Sequence, residues 1–126
     1  MPALPWKLIR NPDPEREYLV LLSFLPLKSL LSVPAFAVGA IGVMKQLAAA
    51  EGLIDYSMLA RPLAKNFWTL SVWTDDAALK TFINHPPHVR LMASLTPHMR
   101  QTNFVRWTVK GSGLPLRWND ALDHSR

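Results

Sequence analysis

The order of short apolar runs and helical patterns along the chain constrains its fold more than any other feature. Tyr18–Leu25 is a nearly continuous apolar run of strand length, and residues 34–50 repeat apolar side chains at helical spacing. A strand pair, a broken helical region and an alternating run follow, over Leu53–Arg61, Asn66–Trp73, residues 77–95 and Asn103–Lys110. The order βαββαβ predicts an α+β, ferredoxin-like sandwich with a four-stranded antiparallel sheet and two helices on one face.

Residues that cap or break helices support these boundaries. Ser32 can cap the first helix, and Gly52 stands where a helix end favours a left-handed residue. Asp75 can cap the next helix. The run from His85 to His88 contains two prolines and breaks that helix, and Pro87 suits the first turn of a second helical piece.

The sheet has an apolar second face that needs a cover. The first strand is apolar on both sides, and in the strand over residues 66–73 Phe67 and Trp73 lie on the face opposite Trp68 and Leu70. Packing two such sheets face to face buries this second face. We therefore expect a homodimer.

The chain of 126 residues has the length of one domain. We expect a core over residues 18–110 and irregular tails over residues 1–17 and 111–126, with Trp6 and Trp118 anchoring the tails over the sheet or on a partner protomer. The sequence has no cysteine, which excludes disulfides and thiolate metal sites and suits a cytoplasmic protein.

The net charge of +5 comes from lysines and arginines spread along the whole chain, so it does not predict a nucleic-acid interface. The longest uncharged stretch lies between Lys28 and Lys45 and is shorter than the roughly 20 apolar residues that a membrane span needs. The first residues lack the pattern of a signal peptide. No membrane span is expected, and the expected location is the cytoplasm.

The segment WTLSVWTDDAALKTFINHPPHVRLM carries a resemblance to a known family. Its marks are a strand ending in Trp73, an acidic helix start, Ala78, Leu79 and Phe82, and then His88 and Met92. This pattern resembles the antibiotic biosynthesis monooxygenase-like proteins of the dimeric α/β barrel superfamily, and within it a bacterial group related to spheroidene monooxygenase, a haem-dependent carotenoid oxygenase. The resemblance covers residues 18–110. It implies a dimeric α/β barrel with a pocket between sheet and helices, which would bind a small apolar or aromatic ligand.

His88 is the main candidate for chemistry. It shares one helical face with Leu91, Met92 and Leu95, so this face should carry the imidazole toward the sheet. A neutral imidazole can act as a general base or as a haem-iron ligand, and the alternative is a structural histidine bonded to the backbone. In haem-degrading relatives the ligand lies about one helical turn further along, where this sequence has Met92. His98 is a weaker candidate at a helix end.

No metal site is predicted. His85 and His88 have a metal-like spacing, but the two prolines between them spoil the helical geometry, and no carboxylate cluster completes a site. The resemblance implies either no cofactor or haem.

Polar residues on the strands are further candidates. Arg106 lies between apolar neighbours and needs a carboxylate, an anionic ligand or water; the structural alternatives are pairing with Asp55 or extension of the side chain to a sheet edge. The candidate substrate-binding residues are Phe36, Trp68, Thr69, Ser71 and Met92, and the candidate catalytic residues are His88 and Arg106. Small residues over 35–42 favour either close packing of backbones or space for a flat ligand.

Three functions remain open at this point. The first is a cofactor-independent or haem-assisted monooxygenase acting on an aromatic or polyene substrate, with His88 as base or ligand and Arg106 steering an oxyanion. The second is a non-catalytic ligand-binding or dimerisation module, which a pocket filled by Phe36, Trp68 and Met92 would favour. The third is a nucleic-acid binder, for which the sheet lacks the expected aromatic and basic residues.

Overall fold

The computed structural model describes residues 7–9, 11–86, 88–114 and 116–124. Trp6, predicted to anchor the first tail, and Pro87, predicted to lie in the first turn of a helix, are outside these residues.

The described chain contains five strands and four α-helices. They are β1 (Lys7–Leu8), β2 (Glu17–Pro26), α1 (Val33–Ala49), β3 (Leu53–Arg61), β4 (Asn66–Trp73), α2 (Asp76–Ile83), α3 (His88–Leu95), β5 (Asn103–Lys110) and α4 (Trp118–Asp123). All strands pair antiparallel, in the order β1-β3-β4-β2-β5. Strands β2 to β5 form the predicted four-stranded sheet, and the ferredoxin-like α+β fold is confirmed.

The tails differ from the expectation of irregular structure. Lys7–Leu8 pairs with Tyr56 and Asp55 of β3, which extends the sheet by a short strand. Residues 118–123 form α4, because Trp118 and Ala121 pack against the sheet and stabilise a helix too short to persist alone.

The ends of the helices show which of the predicted capping residues make the expected contacts. The Asp75 carboxylate accepts a hydrogen bond from the Ala78 amide at 2.8 Å, and Gly52 has a φ of 84°, so both predictions are confirmed. Ser32 precedes α1, but its side chain makes no capping bond. Its backbone is already helical because a 3₁₀ turn over Leu30–Ser32 comes first, and Ser29 caps that turn instead.

Three helices, rather than two, cover one face of the sheet. The region from His85 to His88 separates α2 from α3, as predicted. We call the side of the sheet that packs against α1, α2 and α3 the helix face. The opposite side packs against Leu114, Leu116, Trp118 and Ala121 of the C-terminal segment, and we call it the tail face.

The C-terminal segment covers part of the tail face. Leu114, Leu116, Trp118 and Ala121 pack on Tyr18, Val20, Leu70 and Val72. The Trp118 indole donates a hydrogen bond to the Ser57 hydroxyl at 3.0 Å, and the Trp107 ring stacks on His124 with centroids 3.9 Å apart. A partner protomer was expected to cover this whole face. The chain itself covers much of it.

The continuous helical segment Leu30–Ala49 is long and apolar enough, by length and composition alone, to cross a membrane. This differs from the expectation that no segment reaches that length, because the single charge of Lys45 does not interrupt the helix. The same segment packs Phe36 and Ala40 against the rest of the core.

Candidate functional site

A cavity of about 470 Å³ lies between the helix face and the three helices that cover it. Its volume falls within the range of small-molecule sites. The lining is mainly apolar and includes Leu21, Leu25, Phe36, Ala40, Val43, Met44, Leu47, Met58, Leu79, Phe82, Ile83, Leu91, Met92, Leu95 and Phe104. Polar lining comes from Ser23, Tyr56, Ser57, Thr69, Ser71, His88 and Arg106.

Helices α1 and α3 form the roof of this cavity and contact each other closely. A side chain at Gly39 would collide with Leu91 on α3. This contact favours close packing as the role of the small residues in α1. Nearer the start of α1, the ring of Phe36 packs at a tilt against the ring of Phe67 on β4, with centroids 4.3 Å apart. This contact joins the helix to the sheet beside the cavity.

His88 begins α3 and lines the cavity together with Leu91, Met92 and Leu95. The predicted helical face therefore does point into the space between helices and sheet. The imidazole packs on the Phe82 ring with centroids 5.0 Å apart, and its Nδ1 lies 3.2 Å from the Ile83 carbonyl oxygen.

The contact with Ile83 determines which nitrogen of His88 carries the proton. A carbonyl oxygen only accepts hydrogen bonds, so Nδ1 is the protonated nitrogen and Nε2 keeps a lone pair in the neutral ring. Burial lowers the pKa of His88, and the bond to the Ile83 carbonyl opposes this in part. At neutral pH the ring is neutral, with Nε2 able to accept a proton.

Gln46 of α1 holds the break between α2 and α3 in place. Its Oε1 accepts a hydrogen bond from the His88 amide at 2.9 Å, and its Nε2 donates to the Phe82 carbonyl at 3.0 Å. A glutamine on an apolar helix carries no sequence signal for this role. Sequence reasoning missed Gln46, which positions His88 through the backbone.

Arg106 lies at the rim of the cavity, and its partner differs from the predicted alternative. Its Nη1 donates to Oδ1 of Asp76 at 2.6 Å, and Lys80 contacts the other oxygen of Asp76 at 3.0 Å. The hydrogen bond from Lys80 is the largest cause of a lowered pKa at Asp76, followed by weaker contributions that include Arg106. Pairing with Asp55 is excluded, since Asp55 lies on the tail face and Arg106 on the helix face.

Asp55 is buried on the tail face with 1% of its surface exposed. It pairs with Val72 of β4 because a bulge after Leu53 shifts the register of β3. Within the described residues its Oδ1 has no hydrogen-bond partner, and burial raises the pKa of Asp55 to about 6. Asp55 lies on the face of the sheet opposite the cavity. Above that pH its carboxyl is ionised, and the buried charge destabilises the folded protein.

The other predicted contact residues divide between the two faces. Phe36, Met92, Thr69 and Ser71 line the cavity, and the Ser71 hydroxyl accepts a hydrogen bond from the Trp73 indole at 2.8 Å. Trp68 does not. It alternates with Thr69 along β4 and therefore lies on the tail face, where it borders a smaller groove.

Two polar residues of the cavity were missed. Ser23 on β2 is buried in what reads as a continuous apolar run, and Tyr56 on β3 is brought to the helix face by the bulge. Burial also raises the pKa of Tyr56. An isolated serine in an apolar strand is the one signal that pointed to Ser23.

The described residues include no group of three histidine, cysteine or carboxylate side chains that could hold a metal ion. For haem, Nε2 of His88 would hold the iron, and the Ile83 carbonyl would orient the ring. The two propionates of haem fit poorly, because Arg106 is the one cationic side chain lining the described cavity and it is bound to Asp76. The lining suits a largely apolar ligand better.

No known family profile matches the sequence, and no curated protein sequence matches it significantly. Solved structures do resemble it. SnoaB from Streptomyces nogalater, a cofactor-independent oxygenase, has a TM-score of 0.59 at 16% identity, over 80% of this chain and 99% of SnoaB. A dimeric ferredoxin-like protein from Thermobifida fusca has a TM-score of 0.61 at 15% identity, over 75% of this chain and 92% of that one.

A protein from Lactobacillus acidophilus that is named provisionally as a monooxygenase has a TM-score of 0.63 at 11% identity. The match covers 80% of this chain but spans 50% of the length of the Lactobacillus protein. Proteins named provisionally as antibiotic biosynthesis monooxygenases, from Nitrosomonas europaea and Deinococcus radiodurans, are also similar, at 12% and 11% identity. At these identities the likeness shows the fold. The structural neighbours are antibiotic biosynthesis monooxygenase-like proteins of the ferredoxin fold.

Proposed function

We propose that this chain is a small-molecule monooxygenase that oxidises an aromatic or polyene substrate in the cavity beside His88 without a bound cofactor. One observation carries the proposal: a neutral imidazole with a free lone pair on Nε2 lines a mainly apolar cavity of about 470 Å³. The fold-level similarity to SnoaB, a cofactor-independent oxygenase, supports the same reaction class.

The proposed chemistry starts with proton transfer to Nε2 of His88. The substrate is an activated CH₂ group beside a hydroxylated or conjugated ring, and loss of one C–H proton to His88 leaves an electron-rich carbanion. This carbanion reduces O₂. One oxygen atom enters the product as a carbonyl and the other leaves as water, so that CH₂ plus O₂ becomes C=O plus H₂O without an external reductant.

The surroundings of His88 support this role. Nδ1 remains bound to the Ile83 carbonyl, so the bond strengthens when the ring becomes positively charged. Arg106 has further N–H groups besides the one that binds Asp76, and at the cavity rim these would stabilise an oxyanion on the substrate. Thr69 and Ser23 supply hydroxyl groups to orient polar ends of the substrate.

The substrate class follows from the lining. Phe36, Leu91 and Met92 present apolar and polarisable surface, which suits a flat aromatic ring or a conjugated chain. The proposed place in the bacterial group related to spheroidene monooxygenase rests on the sequence resemblance and adds polyenes to the substrates to be tested.

We also propose that the protein forms a cytoplasmic homodimer through the tail face. The part of this face beside Leu22, Phe24, Trp68 and Val105 carries a groove of about 220 Å³ that the C-terminal segment leaves open. The ring centroids of Phe24 and Trp68 lie 5.0 Å apart there, and the two rings present an aromatic surface. The dimeric protein from Thermobifida fusca shares the fold.

Oxygen uptake by metal-free, haem-free protein tests the proposed function, with a panel of hydroxylated polycyclic compounds and short polyenes that each carry an activated CH₂ group. Ala40→Phe fills the cavity, whereas Ala48→Phe adds the same side chain on the exposed side of α1. Uptake with one substrate class, lost in Ala40→Phe and kept in Ala48→Phe, supports the proposal. No uptake with any member of the panel contradicts it.

A non-catalytic ligand-binding module is the second candidate, since two polar groups of the cavity are already engaged in structural contacts. Ser71 binds the Trp73 indole and Arg106 binds Asp76. This candidate predicts saturable binding of the same compounds without oxygen uptake. A haem titration separates the third alternative, because a Soret shift that is lost in His88→Ala would make the protein a haem protein.

A further inference from the structure

The outer side of α1 is an exposed apolar surface. Leu31, Val38 and Ile41 have 90%, 71% and 53% of their surface exposed, and Leu30 in the preceding turn has 51%. Leu31, Val38 and Ile41 are separated by seven and three residues, which places side chains on one side of a helix, and Leu30 and Leu31 lie in the turn that leads into α1. We call Leu30, Leu31, Val38 and Ile41 the α1 stripe.

Helix α1 is apolar on the inner side as well, where Phe36 and Ala40 are buried. A soluble helix that covers a sheet normally has a polar outer side, and a helix that is apolar all round is normally buried. The outer side of α1 has no cover within the described protein. The α1 stripe therefore has the properties of a contact surface.

The charged residues of the segment 18–50, which contains the α1 stripe, are all cationic. Lys28 lies just before it, Lys45 lies at its end, and Arg90 lies on the neighbouring helix α3; all three are exposed. In the described part of the chain no ion pair involves them. The sequence has no Asp or Glu between Glu17 and Glu51 or between Asp76 and Asp120, so α1 and α3 contain no carboxylate.

An apolar stripe flanked by lysines and arginine is complementary to an anionic lipid surface. Apolar side chains enter the boundary between headgroups and acyl chains, and the lysine and arginine stems extend to the phosphates. A second copy of the chain fits less well, because pairing two α1 stripes would bring these cations together without a carboxylate to neutralise them.

We propose that the α1 stripe binds the protein peripherally to anionic membranes, with α1 lying in the plane of the interface. The inner side of the same helix lines the cavity through Phe36, Ala40 and Met44. The bound membrane therefore lies one helix diameter from the cavity. The α1 stripe is on the opposite side of the sheet from the tail face, so dimerisation through the tail face leaves the α1 stripe free.

Vesicle flotation tests this surface with phosphatidylcholine vesicles, with and without phosphatidylglycerol, at low and physiological ionic strength. The wild type should bind vesicles that contain phosphatidylglycerol and lose binding as salt rises. Val38→Asp should lower the partition coefficient about tenfold or more, because it replaces an inserted apolar side chain by an anion. Lys45→Glu should lower it by at least about fivefold.

Asn119→Asp on α4 is the matched control. It adds one negative charge at an exposed position on the other side of the sheet and should leave vesicle binding unchanged. Circular dichroism of each variant verifies folding, and Lys45→Glu keeps the test valid if Val38→Asp fails to fold.

Several results would overturn the proposal. They are no binding of the wild type to either kind of vesicle, equal loss in Val38→Asp and Asn119→Asp, or binding that does not depend on phosphatidylglycerol. A change of sedimentation coefficient in Val38→Asp, without any vesicle binding by the wild type, would instead assign the α1 stripe to contact between copies of the chain. Because these readouts do not involve oxygen uptake, they are independent of the proposed function.

Discussion

The Nδ1 atom of His88 lies 3.2 Å from the carbonyl oxygen of Ile83, across the break that separates α2 from α3. Pro86 lies in this break and cannot donate a helical hydrogen bond, and Gln46 of α1 bonds both sides of the break. The contact assigns the proton of the neutral ring to Nδ1 and leaves the lone pair on Nε2. A residue for which the sequence left both a structural and a catalytic role open thus has the tautomer that a base requires.

Nitrogen-15 NMR of the imidazole tests this tautomer and the pKa of His88. We expect a pKa below the ordinary value of 6.5, because burial disfavours the charged ring, and a neutral form protonated on Nδ1. His88→Gln identifies the resonance by its loss. A pKa at or above 6.5, or a neutral ring protonated on Nε2, would contradict the geometry.

Asp55→Asn should stabilise the protein above pH 6. Burial raises the pKa of the carboxyl from 3.8 to about 6, so the folded state favours the protonated form and the ionised form costs up to about 3 kcal/mol. The cost is absent below the unfolded pKa and complete once the pH exceeds the folded pKa. The gain of the variant should therefore appear as pH rises from 4 to 7.5.

Urea denaturation at pH 4 and pH 7.5 measures this gain for Asp55→Asn against the wild type. Equal stability of the two proteins at pH 7.5, or an equal gain at both pH values, would contradict the account of Asp55 as a carboxyl whose burial raises its pKa.

Trp68→Asp should dissociate the proposed dimer. Trp68 borders the open groove of the tail face, packs beside Phe24 and has Arg61 5.4 Å above its ring. Loss of such an aromatic anchor should raise the dimer dissociation constant about thirtyfold or more. Sedimentation velocity measures it, with Ala48→Asp on the outer side of α1 as the control. A wild type that sediments as a monomer would refute the dimer.

Much of the fold was predictable because the strand signals are strong. The bounds of β3, β4 and β5 agree with the predicted runs, since the residue pattern marks each run and Gly52, Pro62 and Gly111 mark both ends of β3 and the end of β5. Helix α4 was not predictable. Its six residues make no side-chain capping bond, and its stability comes from Trp118 and Ala121 on the sheet.

The candidate site was predictable in part. Helical spacing places His88 with Leu91, Met92 and Leu95 on one face, and this face does line the cavity. The partner of Arg106 was not accessible from the sequence, because Asp76 reaches β5 through the tertiary fold. A one-residue bulge after Leu53 decides the faces of Asp55 and Tyr56, and local residue patterns do not show it.

The central claim is that His88 removes a proton from a substrate in the cavity. The most direct measurement is kcat/KM for oxygen uptake against pH, for wild type and His88→Gln, with the best substrate of the panel. The account predicts a rate that falls as pH drops through the lowered pKa of His88, and a loss of about 10²- to 10⁴-fold in His88→Gln. A His88→Gln variant with the wild-type rate and pH profile would contradict it.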